Sequence, residues 1–150
     1  MCYQYKFTIF TPCYNSQEFI HRVYNSLVAQ TYKNFEWLVI NDGSSDNTSQ
    51  IIKEYIKEAP FAVQFFDLPE NQMLTKNYNL AVKNAKGDFF IPLGHDDECV
   101  PETLEVFSKY WEKYGNDKYS GISCLCSDQH GNLVGDKFPV SPFHSDYFEV

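Results

Sequence analysis

His95, Asp96, Asp97 and Glu98 stand directly behind the hydrophobic run "FFIPL", in a chain whose formal net charge is already -8. Adjacent carboxylates repel one another, so a fold that keeps three acids together has solvent or a cation to offset the repulsion. A carboxylate pair at a strand end is the chemistry of a divalent cation that neutralises phosphate oxygens. The plainer alternative is a solvated acidic loop capping a helix that starts near Pro101, where negative charge suits the positive end of the helix. The stretch by itself leaves both open.

Further polar residues follow other apolar runs. "TPCYN" brings Pro12, Tyr14 and Asn15, and "NDGSSDNT" brings Asp42. Each of these tripeptides is equally well an ordinary turn or cap. The usual phosphate cradles are missing, since neither G-x-G-x-x-G nor G-x-x-x-x-G-K-[ST] occurs. A diphosphate would then rely on a carboxylate-held cation instead of a nest of backbone amides.

The elements that must position these residues alternate regularly. "KFTIFTPC" reads as a strand, with Ser16 as a candidate cap for a helix carrying Phe19, Ile20, Val23, Tyr24, Leu27 and Val28 on one face. "FEWLVIN" is a nearly unbroken apolar run, as expected of a strand covered on both faces. After the "DGSSDNT" turn, Asp46 or Asn47 can cap a helix with Ile51, Ile52, Tyr55 and Ile56, ended by Ala59 and Pro60. "AVQFFDL" is a third strand. A third helix runs from Met73 to Lys86, with Leu74, Tyr78, Ala81, Val82 and Ala85 expected inward and Gly87 at its C-terminal end. "DFFIPL" is the fourth strand, and Pro101 opens a fourth helix with Leu104, Phe107, Tyr110, Trp111 and Tyr114, closed by Gly115. "GISCLCS", "DQHGN" and "LVGDKF" then read as a hairpin.

Four βα units in succession predict an α/β fold, a mainly parallel twisted sheet with helices on both faces in three layers. Ligands of such sheets sit outside the C-terminal strand ends, where Tyr14, Asn15, Asp42, Asp96 and Asp97 gather. The length suits one domain, able to bury about 70% of its unfolded surface, and no linker or low-complexity tract is visible. Five cysteines without paired spacing read as reduced, intracellular thiols. The acidity argues against nucleic acid as a partner, which would draw on clustered Lys and Arg. No signal peptide and no apolar stretch of about 20 residues is present, so a cytoplasmic place is expected, with the inner face of a membrane as the alternative.

"TPCYN", "SLVAQTYKNFEWLVINDGSSDNT" and "NYNLAVKNAKGDFFIPLGHDDECVPETL" resemble, in order over residues 7 to 107, the motifs of family 2 glycosyltransferases of the GT-A fold. The resemblance implies a Rossmann-like donor-binding domain over residues 1–150, part of a longer chain. It implies transfer of a sugar from a nucleotide diphosphate to an acceptor hydroxyl, with inversion, as in polysaccharide biosynthesis. By the same resemblance Tyr14 and the backbone around Pro12 lie against the base, with Asn15 beside them. Asp42 accepts a hydrogen bond from the base edge, and Lys76 stands where the family commonly has Arg, beside Asn77. Asp96 approaches the ribose, and Asp97 ligates Mn²⁺ or Mg²⁺. The implied partners are a UDP-sugar by analogy and a glycan or lipid-linked acceptor.

Two positions depart from the family pattern: Gly94 replaces the first acid of D-x-D-D, and Met73 stands where a glycine often follows the Asn matched by Asn71. If strand geometry persists through the corner, His95 and Asp97 point together and Asp96 points away, making His95 a possible second ligand or an imidazole paired with an acid. No motif places a general base; His144, Asp146 and Glu149 are acids and bases of the tail without a motif. The rival classes are a non-catalytic nucleotide-sugar-binding module and a nucleotidyltransferase. The second lacks its expected Gly- and Arg/Lys-rich loop after the first strand. A receiver domain lacks its acid pair at Cys13, Tyr14 and Asn15.

Overall fold

In the computed structural model, which describes residues 3–142 and 144, the alternation of apolar runs becomes an alternation of strands and helices. The order is β1 (Tyr5–Cys13), α1 (Ile20–Val28), β2 (Phe35–Asp42), α2 (Thr48–Glu58), β3 (Ala62–Leu68), α3 (Leu74–Asn84), β4 (Gly87–Pro92) and α4 (Thr103–Tyr114). These belong to one compact unit, Met1–Asn116; a second unit, from Asp117 on, holds β5 (Cys126–Ser127) and β6 (Leu133–Val134).

The four strands of the first unit are parallel in the order β3-β2-β1-β4. Period-2 geometry sends alternate residues of β1 and β2 to opposite faces. Phe7, Ile9, Phe35, Trp37 and Val39 pack with Ile20, Val23 and Leu27 of α1, Ile52 of α2 and Leu104 of α4. On the other face Phe10, Leu38 and Ile40 pack with Ala81 of α3 and, beside it, Tyr78. Right-handed crossovers account for this division: β1→β2→β3 step one way and lay α1 and α2 on one face, whereas β3→β4 crosses back and lays α3 on the other. Every residue of β2 is buried. Trp37 is fully buried, and its indole N–H donates to Thr11 Oγ1 at 3.0 Å.

One charged side chain lies inside this core. Glu36, 0% exposed, accepts hydrogen bonds from Thr8 Oγ1 (2.6 Å), Gln64 Nε2 (2.8 Å) and the Lys86 amide (2.7 Å). The Gly87 amide in turn donates to Thr8 Oγ1 at 2.8 Å. A Cβ on Gly87 would lie 2.3 Å from the Thr8 nitrogen, so this position takes no side chain. Gly87 is therefore the opening residue of β4 and not the end of α3, which closes at Asn84 with Ala85 as its C-cap.

Two further expectations are corrected. Ser16 does not cap α1 through its side chain: its carbonyl accepts the Phe19 and Ile20 amides, both at 3.0 Å, while its hydroxyl takes the Tyr14 amide at 3.1 Å. Leu74 and Val82 of α3 are 56% and 60% exposed, and the buried positions of that helix are Asn77 and Ala81. In the second unit the hairpin forms with two-residue strands around Asp128, whose carboxylate accepts the His130 and Asn132 amides at 2.9 and 2.8 Å. No helix among the described residues is long and apolar enough to cross a membrane.

Candidate functional site

The C-terminal ends of β1 and β2, the loop before α3 and the turn after β4 surround a cavity of about 340 Å³. It is lined by Pro12, Cys13, Tyr14 and Asp42, by Asn71, Met73, Leu74 and Asn77, and by His95. Parallel strands end with their carbonyl groups at this rim and hand the chain to short loops, so side chains from separate parts of the sequence meet there.

One wall depends on Asp42 and Gly43. Asp42 is 4% exposed; its Oδ1 accepts the Gln72 amide at 2.7 Å and its Oδ2 the Met73 amide at 3.1 Å. Asn71 Oδ1 also accepts the Met73 amide, at 3.0 Å. Gly43, at φ +67°, lets the loop approach closely, since a Cβ there would stand 2.5 Å from the carbonyl carbon of Glu70 and 2.7 Å from the Asn71 nitrogen. Met73 itself holds φ +70° and ψ 155°, a region populated essentially by glycine. Two side-chain oxygens thus hold a strained residue at the head of α3, and a third holds the residue before it, with the Met73 side chain exposed beside the cavity.

Outside the lining, the loops after β1 and β2 are stitched together by side chains. Asn15, left-handed at φ 50°, donates its amide to Ser44 Oγ at 2.9 Å and accepts the Ser45 amide on Oδ1 at 2.9 Å. The Gln17 amide donates to Asp46 Oδ2 at 3.1 Å, and Gln17 Oε1 accepts the Asn47 amide at 3.1 Å. Burial pushes the Asp46 carboxyl up, but bonds from the Thr48 hydroxyl, the Thr48 amide and the Gln17 amide outweigh it and hold the group below its ordinary value. Behind these loops Asp67 accepts from Asn41 Nδ2 (2.8 Å), Ser49 Oγ (2.7 Å) and Lys53 Nζ (2.7 Å). Cys13 forms part of the floor; burial pushes its thiol up to about 12, so it stays neutral and acts as a small apolar surface.

Of the residues singled out in the sequence, Pro12, Tyr14, Asp42 and Asn77 line the cavity together with His95. Asn15 lies outside the lining and joins the two loops instead. Lys76 is exposed on the first turn of α3, also outside the lining. Asp96 and Asp97 are exposed on the turn after β4. The strand does not persist through this corner: the Asp97 amide folds back to the Gly94 carbonyl at 3.2 Å, a turn that cancels strand alternation. His95 consequently faces the cavity without Asp97. The two carboxylates instead close over Gly94, where a Cβ would lie 2.6 Å from Asp97 Oδ2 and 3.1 Å from Asp96 Oδ1. Among the described residues no three His, Cys, Asp or Glu side chains gather around one point. His144 is exposed in the second unit, with its ring 5.2 Å from that of Tyr119; Asp146 and Glu149 lie outside the described residues.

Cys13, Asn71, Met73 and Leu74 also line the cavity and are not among the candidates from the sequence. Cys13 had a signal in its place between Pro12 and Tyr14. Leu74 had none, because an apolar residue in the first turn of a helix reads as core.

Comparison with known proteins places this geometry. The family model described as glycosyl transferase family 2 matches residues 8–136. An uncharacterised glycosyltransferase of Rickettsia typhi is 35% identical over 126 residues, covering 82% of this chain and 38% of that protein. A teichoic acid poly(glycerol phosphate) polymerase of Staphylococcus epidermidis is 31% identical over 111 residues, 74% of this chain and 15% of that one. The crystal structure of S. aureus TarS 1-349 in complex with UDP-GlcNAc superimposes with a TM-score of 0.68 at 31% identity, covering 73% of this chain and 32% of that one. The chain spans well under half the length of the relatives it matches.

Proposed function

The chain belongs to glycosyl transferase family 2, and from that premise we propose that it forms the nucleotide-sugar-binding part of an inverting glycosyltransferase. The observation that carries this reading is the cavity itself. It lies at the C-terminal ends of β1 and β2, has apolar walls from Pro12, Tyr14 and Met73, and carries few polar groups. A nucleobase suits such a slot. In this proposal Pro12 and Tyr14 lie against the base, Asp42 and Asn77 border its edge, and Asn15 fixes the loop that carries Tyr14. Lys76 lies on the phosphate side, and Asp96 approaches the ribose.

The residues after β4 fit a divalent cation in one mode. Mn²⁺ and Mg²⁺ are commonly held by one or two carboxylates plus substrate phosphates, and the Asp97 carboxylate, folded back over Gly94, would supply one. When bound, the ion supplies charge neutralisation to the diphosphate as it leaves. Asp97 is the proposed ligand, with His95 nearby in the cavity wall. In the reaction the acceptor oxygen bonds to the anomeric carbon from the face opposite the diphosphate. The bond from that carbon to the phosphate oxygen breaks, and the hydroxyl proton passes to a general base. UDP-sugars are the proposed donors, since the TarS structure contains UDP-GlcNAc. The proposed acceptor is a glycan or a lipid-linked chain, with the work done in the cytoplasm or at the inner face of a membrane.

A second reading, a binding module without transfer, is favoured by one observation: Asp42 is the sole carboxylate among the cavity-lining residues, and both its oxygens are engaged. Calorimetric titration of the chain with UDP and GDP, with Mn²⁺ and in chelator, tests nucleotide binding. Binding that requires Mn²⁺ is expected, and no binding of any nucleoside diphosphate would remove the reading. Sugar transfer or hydrolysis by the full-length gene product separates enzyme from module.

A further inference from the structure

Among the described residues, Asn77 Oδ1 is the one buried side-chain oxygen or nitrogen without a hydrogen-bond partner. The residue is 2% exposed, sits one turn into α3 and lines the cavity. Unmet acceptors are rare in native interiors and call for an explanation. Pure packing does not supply one, because an apolar side chain such as leucine, with the same branched skeleton, would occupy the place without stranding a carbonyl. An unpartnered Oδ1 on a residue that lines the cavity points to a ligand reached by rotation of the amide.

The surroundings restrict what that ligand offers. Asp42 is the one carboxylate among the lining residues, a charge that disfavours phosphate beside it. The walls from Pro12, Tyr14 and Met73 suit a flat heterocycle. An acceptor meets a donor, and the amide torsion of asparagine is broad enough for Oδ1 to swing toward one. Asp42 competes poorly for the same donor, since its oxygens already accept the Gln72 and Met73 amides.

We propose that Asn77 is a specificity-determining residue of the cavity, its Oδ1 accepting the ring N–H of a keto-type nucleobase such as the imide N–H of uracil. The other half of the amide, Nδ2, then donates to a carbonyl oxygen flanking that N–H. This rests on the nucleotide-sugar reading and adds to it which side chain distinguishes a ring N–H from its blocked form.

The test pairs two ligands, UDP and UDP methylated at N3 of uracil, with three full-length forms of the chain: wild type, Asn77→Leu and Asn77→Ala. Affinity is measured by calorimetry with Mn²⁺ present, and stability by thermal melting. In the wild type the methyl group weakens binding about tenfold or more. In Asn77→Leu, UDP itself weakens by about tenfold and the methyl penalty shrinks below about threefold, while the melting temperature holds or rises because the stranded acceptor is gone. Leucine keeps the bulk of asparagine, so a lost penalty in that variant is not steric relief. If leucine blocks both ligands, Asn77→Ala decides by the same ratio. A full methyl penalty in the variants, or unchanged UDP affinity, overturns the assignment while leaving nucleotide binding intact. A wild type that binds no nucleoside diphosphate overturns both.

Discussion

Asp42 Oδ2 holds the Met73 amide at 3.1 Å while Met73 keeps φ +70° and ψ 155°. The acid at the end of β2 is thus a strut for the loop that leads into α3, and the cavity wall depends on it before any ligand arrives. Backbone in that region costs about 1–3 kcal/mol for a residue other than glycine and persists only where its surroundings hold it.

Met73→Gly should therefore stabilise the chain. Relief of strain exceeds the extra freedom glycine gives the unfolded chain, about 0.5–1 kcal/mol, leaving a gain of about 1 kcal/mol, or roughly 3 °C in melting temperature for a chain of this size. Asp42→Ala should act in the opposite sense and also weaken UDP binding. A fall in melting temperature for Met73→Gly would contradict the strained conformation.

Asp97→Asn should remove the Mn²⁺ dependence of UDP binding, whereas Asp96→Asn should keep that dependence and lower affinity overall. If the pair were only a solvated turn, either change would relieve like-charge repulsion, raise stability slightly and leave binding alone. Calorimetry with and without chelator discriminates, and identical metal dependence in wild type and Asp97→Asn would refute the ligand assignment.

Glu36→Ala should destabilise without touching ligand recognition. It leaves Thr8, Gln64 and the Lys86 amide without their buried acceptor, a loss of about 3 kcal/mol or more, or roughly 10 °C. Glu36 stands at the end of β2 opposite Asp42, so UDP affinity per folded molecule should stay within about twofold. Chemical denaturation and calorimetry on the same preparation check both halves. A variant that melts normally would show the Glu36 network to be dispensable.

Acid should expose the contribution of Asp67. Burial raises its carboxyl, but hydrogen bonds from Asn41, Lys53 and Ser49 and the Lys53 charge outweigh burial and hold it below its ordinary 3.8. A lowered folded value means stability that is present above 3.8 and lost as the pH falls from there through the folded value. Asp67→Asn should lower the melting temperature near pH 6 and flatten its decline below about pH 4. Parallel acid limbs in wild type and variant would rule this group out.

Much of the fold was legible because β2 and β3 are mostly apolar runs and α1 has a clear stripe, so element order follows from periodicity. The phase of α3 was legible only in part. Ala81 and Tyr78 turn inward as the stripe implies, but Leu74 and Val82 are exposed and Asn77 is buried in their stead, because the first turn of the helix borders a cavity and not solid core. Glu36 was hidden for a related reason: within "FEWLVIN" a lone acid looks like an outward position, and its donors come from residues 8, 64 and 86. In the site, Pro12, Tyr14, Asp42 and Asn77 were found from the motifs. The turn that joins Asp97 to Gly94 was missed because local sequence does not say where a strand lets go.

The stitches between the two loops after β1 and β2 also bear on how fast a ligand is captured. Asn15, Gln17, Ser44 and Asp46 fasten those loops to each other during folding, so their ordering is not deferred to the encounter with a ligand. That side of the cavity should receive nucleotide as a rigid surface, with a single exponential in stopped-flow mixing whose rate rises linearly with concentration. Asn15→Gly, which keeps the left-handed backbone and removes the side-chain tie to Ser45, should bend that line toward a plateau, as loop closure becomes the slow step.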